Sequence, residues 1–306
     1  MNSKPLNMNT MKYFLYSALF FLISISAVKA QQTITIAGDS VKFGNRYFPG
    51  FWLTVPEVKQ ETVKASWVKA IEKGTKSKVT TDKNEMSLFG AILPDFTKGS
   101  VNIMSKIVDQ DSLTMLFVSV ETARDNFISS SSDEYSKLNK YLVKYAKDQY
   151  IITAKNQLSA EQDKLKDMEK ELKTSRKNKE KFEKGIQSSE VRITEQKDNI
   201  TSINKELEIL EIRIGNSSAT LSTMEDGDAK KAKKSELKDL QKKKKNLLKD
   251  INSTNNTIAK SKTSIEDNRT DIETSMVKQK ELSDNISEQK LVVAKYQQKL
   301  KNIEAY

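Results

Sequence analysis

A heptad repeat runs through residues 158–214, which read LSAEQDKLKDMEKELKTSRKNKEKFEKGIQSSEVRITEQKDNITSINKELEILEIRI. Counting in sevens from the first residue, eight of the nine positions are aliphatic and the register never slips: Leu158, Leu165, Leu172, Lys179, Ile186, Ile193, Ile200, Leu207 and Ile214. The companion positions, three residues further on, mix apolar and polar side chains. This is the seam pattern of a coiled coil. We therefore predict one long helix over residues 135–214.

A second repeat of the same kind starts at Leu237 and continues to Leu300. Between the two repeats the chain is rich in Gly, Ser, Thr and Asp, which predicts a hairpin loop at 215–230 and a second helix at 231–306. The near-equal lengths favour an antiparallel helical hairpin whose helices each span roughly 95–100 Å. The alternative is a parallel homodimer or trimer with a flexible break at the loop. Polar residues in the seam are also compatible with self-association of two hairpins.

The chain before residue 151 has a different composition. It holds 14 of the 17 aromatic residues that follow residue 30, whereas residues 151–306 contain 60 charged residues in 156. Only the first part can build a globular core. We predict that residues 31–134 form a small α+β domain, an antiparallel sheet with one packed helix. Its order is a strand at 33–36, a strand at 46–55, a helix at 58–73, and three or four further strands.

Two features extend this prediction. On the 58–73 helix, Val63, Trp67, Val68 and Ile71 share one face. After the domain, an aromatic stripe precedes the coiled-coil seam in a different helical phase: Tyr135, Leu138, Tyr141, Leu142 and Tyr145. The phase change near Tyr150 predicts that the first turns of the long helix dock on the sheet and that the rest leaves as a stalk.

The order of elements in the small domain, with a tryptophan on its helix, resembles the TATA-binding-protein-like folds found in small exported bacterial domains. The resemblance covers most of residues 31–134. It implies the fold alone and carries no function.

The first thirty residues have the form of a secretory signal. Lys4 and Lys12 lie before the uncharged apolar run 13–28, and small residues precede a cleavage site between Ala30 and Gln31. We therefore predict a signal peptide at 1–30 and export, most simply into a bacterial periplasm, although secretion is also compatible. The alternative is an uncleaved anchor, but sixteen apolar residues fall short of the ~20 that span a bilayer. We expect no transmembrane anchor after cleavage.

A basic cluster follows the predicted loop. The stretch Lys230–Lys249 contains ten lysines against Glu236 and Asp239, a local charge of +8. The predicted tip that binds an anionic partner consists of Lys230, Lys231, Lys233, Lys234, Lys238, Lys242, Lys243, Lys244 and Lys245. Such a cluster favours a phospholipid head group, an envelope glycolipid, a cell-wall polymer or an acidic protein. Export and the lack of interleaved aromatics argue against nucleic acid. The other interpretation is a solvated face that keeps a long coil soluble.

The composition argues against an enzyme. The chain has no His and no Cys, so it lacks the side chains for a Ser-His-Asp triad, a cysteine nucleophile or the usual zinc ligand sets. The carboxylates of the small domain are scattered among predicted turns, and no glycine-rich phosphate loop is present. We assign no catalytic residue, metal or cofactor. Phe48, Phe51 and Trp52 are either a ligand-binding aromatic cluster or ordinary core.

These observations predict a non-enzymatic, exported coiled-coil adaptor or spacer of the bacterial cell envelope, which binds a partner through its head or its basic tip. The layout is also similar to the periplasmic Skp/OmpH chaperones. That resemblance implies a trimer that holds unfolded outer-membrane proteins between its arms. In those chaperones the chain returns from the arm to complete the head, whereas we expect this chain to end on the arm. A third alternative is a regulator of cell-wall hydrolases, similar in outline to exported coiled-coil activators of amidases.

Overall fold

The computed structural model describes residues 33–94, 97–110 and 113–305. The predicted signal peptide and its cleavage site at Ala30 and Gln31 lie outside these residues. The chain divides into two compact units. The head unit comprises the residues up to Ala160 together with Val293–Tyr306, and the coil unit comprises Glu161–Val292.

The head unit is built on an antiparallel sheet, whose strands are β1 (Ile36–Phe43), β2 (Arg46–Pro56), β3 (Thr80–Asp82), β4 (Glu85–Ile92), β5 (Ser100–Gln110), β6 (Leu113–Ala123) and β7 (Asn126–Phe127). The strands lie in the order β1-β2-β6-β5-β4-β3, and β7 pairs with β6. The predicted α+β head is confirmed, with helix α1 (Gln60–Glu72) packed on one face of the sheet.

Alternating side chains supply the core of the head unit. In β2, Phe51, Leu53 and Val55 are buried on the face that α1 covers. From α1, Val63, Trp67 and Ile71 are buried against them, as the helical spacing predicts. Trp67 is only 1% exposed, and its indole Nε1 donates a hydrogen bond to Ser105 Oγ at 2.9 Å. The polar atom of this large side chain is therefore satisfied inside the core.

Two details of the sheet differ from the prediction. The first strand begins at Ile36, where the predicted strand ends. Upstream of it, Thr35 bonds to Thr54 through the Thr54 backbone N–H and the Thr54 hydroxyl. Strand β7 was not predicted, because two residues are too few to show a β-type alternation.

Gly50 allows β2 to approach its neighbour closely. A Cβ atom at this position would lie 2.4 Å from the Val118 carbonyl oxygen and 2.7 Å from the Phe117 ring. No side chain fits there without displacing backbone. The space beside Gly50 is taken by the Phe117 ring, which also contacts Phe43 and Trp52.

Helix α2 (Tyr135–Thr223) begins in the head unit. Its residues Leu138, Leu142 and Tyr145 belong to the same core as the sheet and α1, which confirms the predicted docking of the first turns. One turn later, Tyr150 and Ala154 instead pack against Ile303 of helix α3 (Asp228–Ala305). The phase change near Tyr150 thus marks where α2 exchanges one set of neighbours for another.

The coil unit is an antiparallel pair formed by α2 and α3, which confirms the predicted hairpin. Within 161–292, every predicted seam position is buried or half-buried. Ion pairs join the helices in antiparallel order: Lys278 contacts Glu171 at 2.7 Å, and Lys243 contacts Glu206 at 2.6 Å. Gly185 lies at a close crossing, because a Cβ there would come within 2.7 Å of Asn268 Nδ2.

The predicted loop at 215–230 is wrong in its bounds. Helix α2 continues through Gly215 to Thr223, and α3 already begins at Asp228. A glycine within a helix costs only about 1 kcal/mol relative to alanine. The seam continues beyond it, since Ser217 is buried and Leu221 is half-buried. Packing therefore outweighs the local preference for a turn.

Candidate functional site

The predicted basic tip lies at the N-terminal end of α3, within the coil unit. The structure divides its lysines into two groups. Five of them form ion pairs with carboxylates: Lys230 with Asp226 (2.8 Å), Lys231 with Asp228 (3.2 Å), Lys233 with Glu236 (2.8 Å), Lys243 with Glu206 (2.6 Å) and Lys244 with Glu211 (2.6 Å). The last two pairs join α3 to α2. Part of the predicted cluster is therefore neutralised by the chain itself.

The remaining tip lysines form what we call the lysine stripe: Lys234, Lys238, Lys242 and Lys245, extended by Lys249. All five side chains are exposed, and none forms an ion pair with any residue that the structure describes. Their spacing of three or four residues places them along one side of α3 over about 22 Å. The sequence located the cluster, but it did not separate these lysines from the paired ones.

One exposed carboxylate, Asp239, borders the lysine stripe, three residues before Lys242. With the seam residues counted as a and d, positions b, e and f between Lys231 and Asn252 hold only lysine, Ser235, Gln241, Leu248 and asparagine, and Asp239 lies at the outward position c. Leu248 is 46% exposed between two stripe lysines. Away from this face, the hydrogen bond from Lys233 holds the pKa of Glu236 below its ordinary value. The stripe therefore presents an excess of positive charge, with Asp239 as the exposed carboxylate beside it.

A second run of lysines serves as an internal comparison. Lys166, Lys170, Lys173 and Lys177 also follow one another at three- or four-residue spacing on the outward positions of α2. Here, however, carboxylates occupy outward positions as well, at Asp163, Glu169 and Glu180. Equal spacing thus comes with nearly balanced charge on α2 and with a strong excess of positive charge at the start of α3.

The predicted aromatic cluster of the head is split by the sheet. Phe51 faces the core, where its ring lies 5.1 Å from that of Tyr135. Phe48 and Trp52 lie on the opposite face, and Trp52 Nε1 donates to Asp39 Oδ2 at 3.0 Å. A strand turns successive side chains to opposite faces, so Phe51 and Trp52 do not line one binding site. Half-buried Met104 and Met115 share the outer face with Trp52.

A polar cluster that the sequence did not reveal lies where α2 and α3 meet the head. Glu57 accepts hydrogen bonds from Tyr150 Oη (3.2 Å), from Gln157 Nε2 (3.3 Å) and from Lys299 Nζ. Lys299 also donates to Gln157 Oε1 at 3.0 Å. Its ammonium lies 5.7 Å from the Tyr150 ring centroid and 5.6 Å from that of Tyr296. We call Glu57, Tyr150, Gln157 and Lys299 the head anchor.

The head anchor is partly shielded from solvent and has shifted pKa values. The Lys299 and Glu57 side chains are 17% and 22% exposed. Burial by itself opposes ionisation of Glu57, but the hydrogen bonds and charge of Lys299, with the bonds from Gln157 and Tyr150, bring its pKa below the ordinary value. Burial and the neighbouring Glu57 raise the pKa of Tyr150. Glu57 also has a φ of +58°, a strained value for a residue with a side chain.

The side chains of the head anchor form an ion pair and hydrogen bonds with one another. Two carboxylates of the sheet are engaged separately: Glu85 pairs with Lys106 at 2.9 Å, and Glu121 accepts from Asn102 Nδ2 at 2.9 Å. Asp95 and Asp111 lie outside the described residues. Across residues 33–94, 97–110 and 113–305, no three Asp or Glu side chains come together as metal ligands.

No protein-family model matches this sequence, and no curated protein is significantly similar to it. In the part of the chain that the structure describes, no helix combines the length and the apolar content needed to cross a bilayer.

Proposed function

We propose that this chain is a non-enzymatic, exported adaptor or spacer of the bacterial cell envelope, which binds its partner through the basic end of its coil unit. The lysine stripe is the observation that supports this proposal most directly. An exposed helix face with five unpaired ammonium groups attracts an anionic partner over distances of about 10 Å in salt solution. The head unit offers a second surface on the outer face of its sheet.

The coil unit has the dimensions of a spacer. Each helix contributes more than sixty residues to it, from Glu161 to Thr223 and from Asp228 to Val292. At a rise of 1.5 Å per residue, such a pair spans roughly 95 Å. The apolar seam side chains are buried or half-buried between the two helices, and most of the charged residues are exposed.

The experiment that tests this function is site-specific photo-crosslinking in living cells, with the probe at Ser222. This side chain is exposed in the last turn of α2, beside the basic end of α3. We expect one discrete crosslinked product, which identifies a dedicated partner. A probe at exposed Ser264, far from the link between the helices, is the matched control and should give no such band. A smear of unfolded envelope proteins at both positions would contradict the adaptor.

The second candidate is a holdase chaperone similar to Skp/OmpH, and one contact favours it. The last turns of α3 belong to the head unit, where Ile303 is buried against Tyr150 and Ala154. Lys147 Nζ also donates to the Glu304 carbonyl oxygen at 2.9 Å. The last turns of α3 therefore return to the head unit, which supports this candidate, but they add no strand to the sheet that the structure describes. Light scattering separates the two candidates, because a stable trimer favours the chaperone and a monomer or dimer favours the adaptor.

A further inference from the structure

We propose that the lysine stripe docks the coil unit onto the anionic surface of a phospholipid bilayer. The proposal deepens the function proposed above and rests on it in one respect, namely that the chain is exported to a compartment bounded by membranes. It names lipid head-group phosphates as the ligand of Lys234, Lys238, Lys242, Lys245 and Lys249.

The geometry of the lysine stripe suits a flat ligand. Its five side chains are exposed and follow one side of α3 at three- and four-residue spacing. Flexible lysine side chains on one helix face can contact the same plane together over about 22 Å. One exposed carboxylate, Asp239, lies beside the stripe, and the five ammonium groups outnumber it.

The residue types favour a membrane over a protein. Energetically important residues of protein interfaces are enriched in Trp, Tyr and Arg, whereas Lys is depleted there. The face that carries the stripe, from Lys231 to Asn252, contains no arginine and no aromatic residue. Lysine is a mobile point charge that pairs with phosphate without a fixed geometry. Such contacts are sufficient to bind the mobile phosphates of a fluid bilayer.

The mode of binding follows from the apolar content of this face. Leu248 is its one large exposed aliphatic side chain among the described residues 231–252. Insertion into a bilayer requires a broad apolar face, which this helix lacks. We therefore infer a peripheral, electrostatic association that salt weakens.

Vesicle binding of the purified chain tests the proposal. The chain is taken from the periplasm of an expression host, and mass spectrometry establishes its N terminus. Co-sedimentation is measured with vesicles of phosphatidylcholine alone and with vesicles that contain about one third phosphatidylglycerol. We expect binding to the anionic vesicles only, and loss of that binding between about 0.05 M and about 0.5 M salt.

Two variants of equal charge make the test specific. The stripe variant carries K234Q, K238Q, K242Q, K245Q and K249Q. The control variant carries K166Q, K170Q, K173Q, K177Q and K181Q on α2, where exposed carboxylates lie among the lysines. A lysine near an anionic bilayer contributes about fivefold in affinity, so we expect the stripe variant to lose at least about 100-fold and the control to stay within about threefold. Circular dichroism checks that both variants keep their helices.

Several results would overturn the proposal. These are equal binding to neutral vesicles, equal losses in the two variants, or no binding of the unmodified chain to anionic vesicles. Binding of soluble polyphosphate as tightly as vesicles of equal phosphate content would replace the membrane with a soluble polyanion. The adaptor function is tested separately, because the crosslinked product at Ser222 is a protein. A discrete product without vesicle binding would reject this inference and retain the adaptor.

Discussion

The head unit and the coil unit bury their side chains in different ways. In the head, Trp67 is enclosed by a helix and a sheet and is 1% exposed. In the coil, even the best-buried seam residues contact one facing helix, and their neighbours two positions away are exposed. Stability is thus concentrated in a few head residues and spread along the coil. A single substitution should therefore affect the two units by unequal amounts.

Replacement of Trp67 by alanine is the strongest test of this contrast. We expect Trp67→Ala to lower the free energy of unfolding of the head by about 3–5 kcal/mol, because it leaves a large cavity and removes the donor to Ser105 Oγ. Denaturant titration followed by the fluorescence of Trp52 reports the head alone, since both tryptophans lie there. Trp67→Phe, which keeps most of the volume, should cost less than half as much.

The coil counterpart of this substitution is Leu240→Ala at a seam position that is 8% exposed. We expect a loss of about 2 kcal/mol, the lower end of the range for buried leucines, because the exposed seam edge lets water and side chains fill the gap. Denaturant titration followed by circular dichroism at 222 nm measures this loss. If Leu240→Ala and Trp67→Ala lowered the free energy of unfolding equally, and fluorescence and circular dichroism changed together, the two units would not differ in how their stability is distributed.

The head anchor should show an effect similar in size to that of Leu240→Ala. Lys299→Met leaves the Glu57 carboxylate without its cationic partner at a site that is about one fifth exposed. We expect a loss of about 2 kcal/mol in the head, less than for a fully buried pair because solvent still reaches the site. Lys295→Met, at an exposed lysine four residues earlier, is the control and should change the stability by under about 0.5 kcal/mol.

The pH dependence of the head should report the same anchor. The pKa of Glu57 is lower in the folded chain than its ordinary value of 4.5. Its stabilising contribution is therefore complete above the unfolded pKa and is lost as the pH falls through the folded pKa. We expect Glu57→Gln to remove part of the acid slope in thermal unfolding followed by tryptophan fluorescence. Glu61→Gln, at an exposed carboxylate, is the matched control and should leave the acid slope unchanged. If Glu57→Gln also left the slope unchanged, the acid sensitivity of the head would belong to other groups.

The smallest expected effect is a gain in the coil. Gln279 occupies a seam position, and its Nε2 is buried without a hydrogen-bond partner among the described residues. Gln279→Leu removes that unsatisfied donor, and we expect it to stabilise the coil by about 1 kcal/mol. Thermal unfolding followed at 222 nm measures the change. Gln187→Leu, at an exposed position of α2, should have no comparable effect; a loss on Gln279→Leu would mean that the amide supports the register.

Much of the fold could be predicted because its pattern is local. The heptad repeat assigned both seams correctly, and the stripe from Tyr135 to Tyr145 located the docking of α2 on the sheet. Errors arose where packing overrides local preference. Gly215 lies inside a helix because the seam continues past it, and β7 is too short to leave a pattern.

The candidate site was predictable only in outline. Lysine density located the basic end of α3, but density does not reveal which lysines meet a carboxylate. Lys243 and Lys244 are neutralised by α2, whereas Lys242 and Lys245, their neighbours in sequence, are not. That difference depends on which helix face each residue occupies relative to the second helix.

The sequence by itself determined the periodic features of this protein: two long helices, their seams, and a separate aromatic-rich domain. The helices and their seams follow from the spacing of side chains within one element, and the separate domain follows from local composition. Both properties can be read from a stretch of sequence without knowledge of the rest of the chain. Only the tertiary structure decided the partners across long separations, such as Lys299 with Glu57, which lie 242 residues apart. The physical reason is that periodicity is set by the backbone geometry of a helix or strand, whereas an ion pair depends on how whole elements pack.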